Sequence, residues 1–97
     1  MAIVRLIFVT VKAQDAAAAE RIWKKDCAPL MIKQKGCLSE ELLKSTDVPG
    51  ELISYAEWDS QASIDRYLAS ADHQTIKQHA KALKTESAPV VKCYTLV

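Results

Sequence analysis

The residues of this chain that could do chemistry fall mostly within one stretch: Tyr55, Glu57 and Trp58 close an apolar run, and Tyr67, His73 and His79 follow along a helical pattern. Arg5 stands apart, a single charge inside the first apolar run. In an extended strand Tyr55 and Glu57 share a face, which sets a carboxylate beside a phenol. Glu57 there is either a base or, more simply, the ion-pair partner of a basic neighbour. Tyr67 lies on a helical stripe with Ile64 and Leu68. It is either a core tyrosine with its hydroxyl satisfied at the edge or a donor to a substrate oxygen. A phenol, with a reference pKa of about 10, suits donation better than proton removal at neutral pH. Trp58 either seals the strand end against the helices or offers a stacking surface for an aromatic ligand.

The two histidines are six residues apart, whereas a helical metal pair needs three or four, so no metal site is expected. Singly, each is a packed histidine or a base. His79 shares an apolar stripe with Ile76 and Leu83, and His73 stands in the first turn of its helix, where the dipole disfavours the imidazolium. Arg5 has three readings: it snorkels at an edge, pairs with a strand glutamate such as Glu57, or contacts an anionic substrate. Gly36 and Gly50 are the only glycines, so no phosphate cradle, Rossmann fingerprint or Walker loop can be built. No cofactor is expected.

The elements that position these groups follow from length and pattern. Ninety-seven residues, 49% hydrophobic and 26% charged, suit one domain spanning 1–97. So short a chain builds a modest core, which favours association. A net charge of +1, with basic residues scattered, recommends no nucleic acid. No apolar run reaches the roughly 20 residues of a membrane span, and the first run is too short for a signal segment, so a cytoplasmic protein without a membrane partner is expected. Cys27, Cys37 and Cys93 are odd in number and lack CxxC spacing, which predicts buried free thiols.

Ile3 to Val11 is apolar at odd and even positions, as in a strand covered on both faces. A helix is expected from about 15 to 34, with Asp15 as its cap, Pro29 bending it near Cys27, and Gly36 ending the segment. Cys37 to Ser45 and Glu51 to Trp58 read as the arms of a hairpin around Asp47-Val48-Pro49-Gly50. Asp59 or Ser60 caps a short helix, Ser70 or Asp72 caps another, and Val90 to Val97 is a last strand apolar on both sides. The order βαββααβ predicts an α+β, ferredoxin-like fold with a four-stranded antiparallel sheet, helices on one face. A second copy covering the other face would make a homodimer through the sheet faces.

The apolar first strand, Lys35-Gly36-Cys37 opening the second strand, Glu57-Trp58 ending the third, and the register from Trp58-Asp59-Ser60 through Leu68-Ala69-Ser70 into Asp72-His73 together resemble the antibiotic biosynthesis monooxygenase family of the dimeric α/β barrel superfamily. The resemblance implies oxidation by molecular oxygen, without a cofactor, of a small aromatic or quinol-like substrate in a pocket between sheet and helices. Tyr67 stands where many members carry a histidine, which implies a donor in place of a base. The chain has no asparagine, so it lacks the triad that the haem-degrading branch resembles. Tyr67 and His79 are the candidate catalytic residues; Trp58, Tyr55, Glu57, His73 and Arg5 are the candidate substrate contacts. The alternatives are a non-catalytic barrel that binds a small hydrophobic ligand or serves a stress-related role, and an isomerase or decarboxylase of small carbonyl compounds.

Overall fold

In the computed structural model, which describes residues 2–97, strand β1 (Ile3–Thr10) is followed by a helical rod made of α1 (Ala16–Ile22), a π-helical turn (Trp23–Cys27) and α2 (Ala28–Ile32). The hairpin β2 (Cys37–Lys44) and β3 (Glu51–Trp58) comes next, then α3 (Gln61–Leu68), α4 (Ala71–Ala80) and β4 (Val90–Thr95). The antiparallel strands lie in the order β2-β3-β1-β4, which gives the ferredoxin-like α+β fold expected from the pattern. The last strand stops at Thr95, short of Val97.

The rod explains itself through spacing. Ala19, Trp23, Cys27 and Met31 are all buried and recur every fourth residue. An α-helix of 3.6 residues per turn would carry such a series steadily around its surface. The wider π turn at Trp23–Cys27 takes up the excess and returns Cys27 and Met31 to the sheet. Pro29 sits in the first turn of α2, where its missing N–H costs nothing. Asp15 does not cap α1: it belongs to a preceding tight turn, Ala13–Asp15, and its helical backbone angles (φ −97°, ψ −5°) leave its side chain without a capping bond.

Further along, Ser60 and Ser70 are the caps. Each hydroxyl accepts from the amide three residues on, Ser63 at 3.2 Å and His73 at 3.1 Å. The αL-region Gly36, at φ +90°, lies against this corner, and its carbonyl accepts the Asp59 N–H at 2.8 Å. A Cβ there would collide with the Ser63 hydroxyl and the Asp59 carboxylate.

Strand parity divides the sheet into two faces. Ile3, Arg5, Ile7 and Val9 of β1 stand opposite Trp58, Ala56, Ser54 and Leu52 of β3, and this face packs on the helices. Trp58, Met31, Ile64, Val11 and Cys27 are the largest fully buried side chains there, each contributing about 1.5–3 kcal/mol by burial if apolar. Val4, Leu6 and Phe8, opposite Glu57, Tyr55 and Ile53, form the other face with Leu43, Val90, Lys92 and Tyr94. Within the single chain β4 is exposed along its whole length, Cys93 included, so the expectation of three buried thiols holds for Cys27 alone. Cys37 is half-buried, and burial pushes the thiols of Cys27 and Cys37 up to about 11. No helix among the described residues is long and apolar enough to cross a membrane.

Candidate active site

A cavity of about 430 Å³ opens between α4, the rod and the β1–β4 side of the sheet. Its walls are mainly apolar, with Ile7, Val9, Ile76, Leu83 and Val91 among them, and its polar groups are few: Arg5, Tyr67, His73, Lys77, Lys81 and Thr85. That size and lining suit a small ring compound. Helix α4 is fixed over it by Asp72, which accepts from the Gln34 amide at 2.7 Å and lies 3.4 Å from the Lys33 ammonium.

Tyr67 and His73 meet on one wall. Trp58, fully buried, lies tilted against the Tyr67 ring with centroids 5.2 Å apart, and His73 meets Tyr67 edge-on at 5.0 Å. The three rings form a ladder from the core to the cavity. Trp58 is its inner rung and does not line the space; its indole N–H has no partner among the described residues. Such an orphan donor costs about 1–3 kcal/mol, offset here by the ring's packing.

The titration of the two outer rungs separates their roles. Burial raises the Tyr67 phenol well above its ordinary range, so it is a neutral donor. Desolvation, chiefly, lowers His73, and its Nδ1 lies 3.1 Å from the Leu68 carbonyl oxygen. A carbonyl can only accept, so Nδ1 carries the proton and a neutral His73 holds its lone pair on Nε2.

Other candidates go elsewhere. His79 faces the π turn, with Nδ1 4.0 Å from the Asp26 carboxylate, and does not line the cavity. Tyr55 and Glu57 do share a face, but it is the one away from the helices, because Leu52, Ser54, Ala56 and Trp58 take the inward positions. The pairing of Arg5 with Glu57 therefore fails: Arg5 stands opposite Ala56 and Cys93 on the helix side, and Glu57 stands opposite Val4. Arg5 is 8% exposed and lines the cavity.

One group escaped the reading of the sequence. Glu40 of β2 points inward, where one carboxylate oxygen accepts from the Trp23 indole at 2.8 Å and from the Ser54 hydroxyl at 3.1 Å. Its other oxygen is buried without a partner among the described residues. Desolvation lifts this carboxyl to about 7 in spite of its two hydrogen bonds and the field of Arg5. The signal available was parity: Glu40 alternates with Leu42, which also faces inward. Trp23, which Glu40 holds, forms part of the cavity wall.

Residues 2–79 match the sequence profile of the family described as antibiotic biosynthesis monooxygenase. No curated protein sequence matches. Among solved structures, a conserved protein from Methanosarcina mazei Go1 superposes with a TM-score of 0.83 at 18% identity, covering 97% of this chain and 91% of that one. Rv0793 from Mycobacterium tuberculosis gives 0.81 at 15% identity, with 100% and 96% covered. SnoaB from Streptomyces nogalater, described as a cofactor-independent oxygenase, gives 0.80 at 17% identity, with 99% and 93% covered. At such identities these likenesses establish the fold.

Proposed function

Because this chain belongs to the antibiotic biosynthesis monooxygenase family, we propose that it is a cofactor-independent monooxygenase acting on a small aromatic or quinol-like compound. The similarity to SnoaB, a cofactor-independent oxygenase, supports this reading at the level of fold. The observation that carries it is the pairing of a neutral His73 with a neutral Tyr67 on one wall of an apolar cavity.

The chemistry asks little more of the protein. A ring CH₂ flanked by aromatic groups, or a quinol O–H, gives up a proton to become an electron-rich anion, and that anion can reduce oxygen itself. For an anthrone, CH₂ becomes C=O with one atom of O₂, and the other leaves as water with the two hydrogens. His73 Nε2 is the proton acceptor in this reading, and the Tyr67 hydroxyl donates to the substrate oxygen on which charge develops. Trp23 and the aliphatic walls hold the ring and exclude water.

Oxygen uptake with a panel of anthrones and quinols tests the assignment. Wild type is expected to consume oxygen, Tyr67→Phe and His73→Gln to lose about 10²-fold in kcat, and His79→Ala to stay near wild type. Binding of these compounds with no oxygen uptake would sink the reading and favour a barrel that only carries a ligand.

The face formed by Val4, Leu6, Phe8, Ile53, Tyr55 and Tyr94 is the second element of the proposal: a second copy covers it, sheet against sheet. Leu43, Val90 and Tyr94 are 44%, 50% and 50% exposed in the single chain, which supports that use. Light scattering is expected to give about 21 kDa, twice the chain's 10.7 kDa; a monomer would reject it.

A further inference from the structure

Arg5 presents a problem that the oxidation chemistry does not solve. Its side chain is buried at 8% exposure, it cannot shed its proton, and it makes no salt bridge among the described residues. Its guanidinium nitrogens are not sealed in, since the buried side-chain atoms without a partner among the described residues are Glu40 Oε2 and the Trp58 indole nitrogen; they open into the cavity, where an anion would gain charge-assisted hydrogen bonds. Its cross-strand neighbours, Ala56 and Cys93, supply none. The cavity it lines supplies none either: the charged side chains there are Arg5, Lys77 and Lys81, with no aspartate or glutamate among them.

Protein groups nearby do not neutralise it. The carboxyl close enough to feel Arg5 is Glu40, but its oxygens are committed to Trp23 and Ser54 or buried, and it does not line the cavity. A Glu40 closely paired with Arg5 would be driven below the usual carboxylate range; instead burial outweighs the field of Arg5 and lifts it to about 7. Tyr67 is a neutral phenol. The cavity is therefore a cationic, apolar-walled space whose fixed charge lacks a counterpart of its own.

From this we infer that the compound held in the cavity is an aromatic acid, its carboxylate taken by the Arg5 guanidinium and its ring lying toward Trp23 and Tyr67. A carboxylate fits the flat donor fork of a single arginine, whereas a phosphate would call for more donors than the apolar floor provides. Lys77 and Lys81, both exposed, add a positive rim that draws anions inward. The inference rests on the oxygenase reading only for the oxidisable part of the ring; the charge assignment stands on the cavity.

The test compares 2-naphthoate and anthraquinone-2-carboxylate with their neutral carboxamides by calorimetry on the wild-type protein. The acids are expected to bind on the order of tenfold or more tightly than the amides, with affinity falling as salt rises. Arg5→Gln is expected to erase the preference. If that variant does not fold, Arg5→Lys, which keeps the charge without the flat donor fork, is expected to cut the preference for acids over amides several-fold in the same calorimetry, and an undiminished preference would overturn the assignment. Equal affinity for acids and amides, or no binding of either acid, overturns the inference. Acid preference without oxygen uptake would leave it standing and remove the oxygenase; oxygen uptake with neutral anthrones and no acid preference would do the reverse.

Discussion

The Trp23 indole donates a 2.8 Å hydrogen bond to Glu40 across 17 residues of chain, and so ties the π turn of the helical rod to the second strand. The bond does two jobs. It satisfies a buried N–H, and it sets the angle at which one ring forms the cavity wall. Ser54, buried between Leu52 and Ala56 on β3, shares the same carboxylate oxygen, so three separate elements meet at one acid.

The raised pKa of Glu40 makes stability depend on pH in a stated direction. Between the unfolded value of 4.5 and the folded value of about 7, the native state holds more proton than the unfolded state. Stability therefore falls as pH rises through that window and is flat above it, with a total change of up to about 3 kcal/mol. Glu40→Gln should remove this slope and keep the Trp23 bond. Urea denaturation at pH 5, 6, 7 and 8 checks it; a wild-type slope that persists in the variant would assign the effect elsewhere.

His73 slopes the other way. Its folded pKa is lowered, so the unfolded state takes up protons first, and stability is lost as pH falls below the ordinary histidine value of 6.5. The acid limb of the rate should lie below 6.5, where the imidazolium can no longer accept a proton. A pH profile of oxygen uptake is the measurement. His73→Gln should leave no acid limb of that origin.

Trp58 should tolerate shape but not loss. Trp58→Ala empties a fully buried site beneath Tyr67 and is expected to cost about 3–5 kcal/mol. Trp58→Phe removes the orphan N–H together with some volume, so the two effects offset, and a loss of only about 1 kcal/mol is expected. Thermal melts of both variants separate ring packing from the indole nitrogen.

Gly36→Ala should destabilise by about 2 kcal/mol or more, because φ +90° is left-handed backbone and the new methyl strikes the Ser63 hydroxyl and the Asp59 carboxylate. Adding Ser63→Ala removes the hydroxyl from the collision but leaves the Cβ of residue 63, the Asp59 carboxylate and the backbone strain in place. A double variant as stable as wild type would show that neither the strain nor the remaining contacts count, and would reject the prediction.

Much of this architecture was legible because local signals agreed. Strand ends at Glu51 and Trp58, the Ser60 and Ser70 caps and the break between the last two helices each have a nearby chemical cause. The direction of β3 was not legible: Ile53 and Tyr55 are as acceptable inside as Leu52 and Trp58, so parity grouped Tyr55 with Glu57 and could not say which way they look. The placement of His79 was not legible for a similar reason, since an apolar stripe does not reveal Asp26 on the neighbouring element. Glu40 was missed because an acid between Ser39 and Glu41 reads as solvent-facing until Trp23 and Ser54 are seen to converge on it.

The π turn also makes the rod a counting device. Its wider loop holds one residue of slack, so one residue removed between Trp23 and Cys27 would tighten the turn to an ordinary helix. The hydrogen bonding would survive and Met31 would keep roughly its facing, drawn closer along the axis, whereas the same deletion within regular helix α1 or α2 would rotate every later residue by about 100°. Insertions and deletions here, more than point substitutions, are the changes through which descendants of this chain could recut one wall of the cavity and leave the four strands untouched.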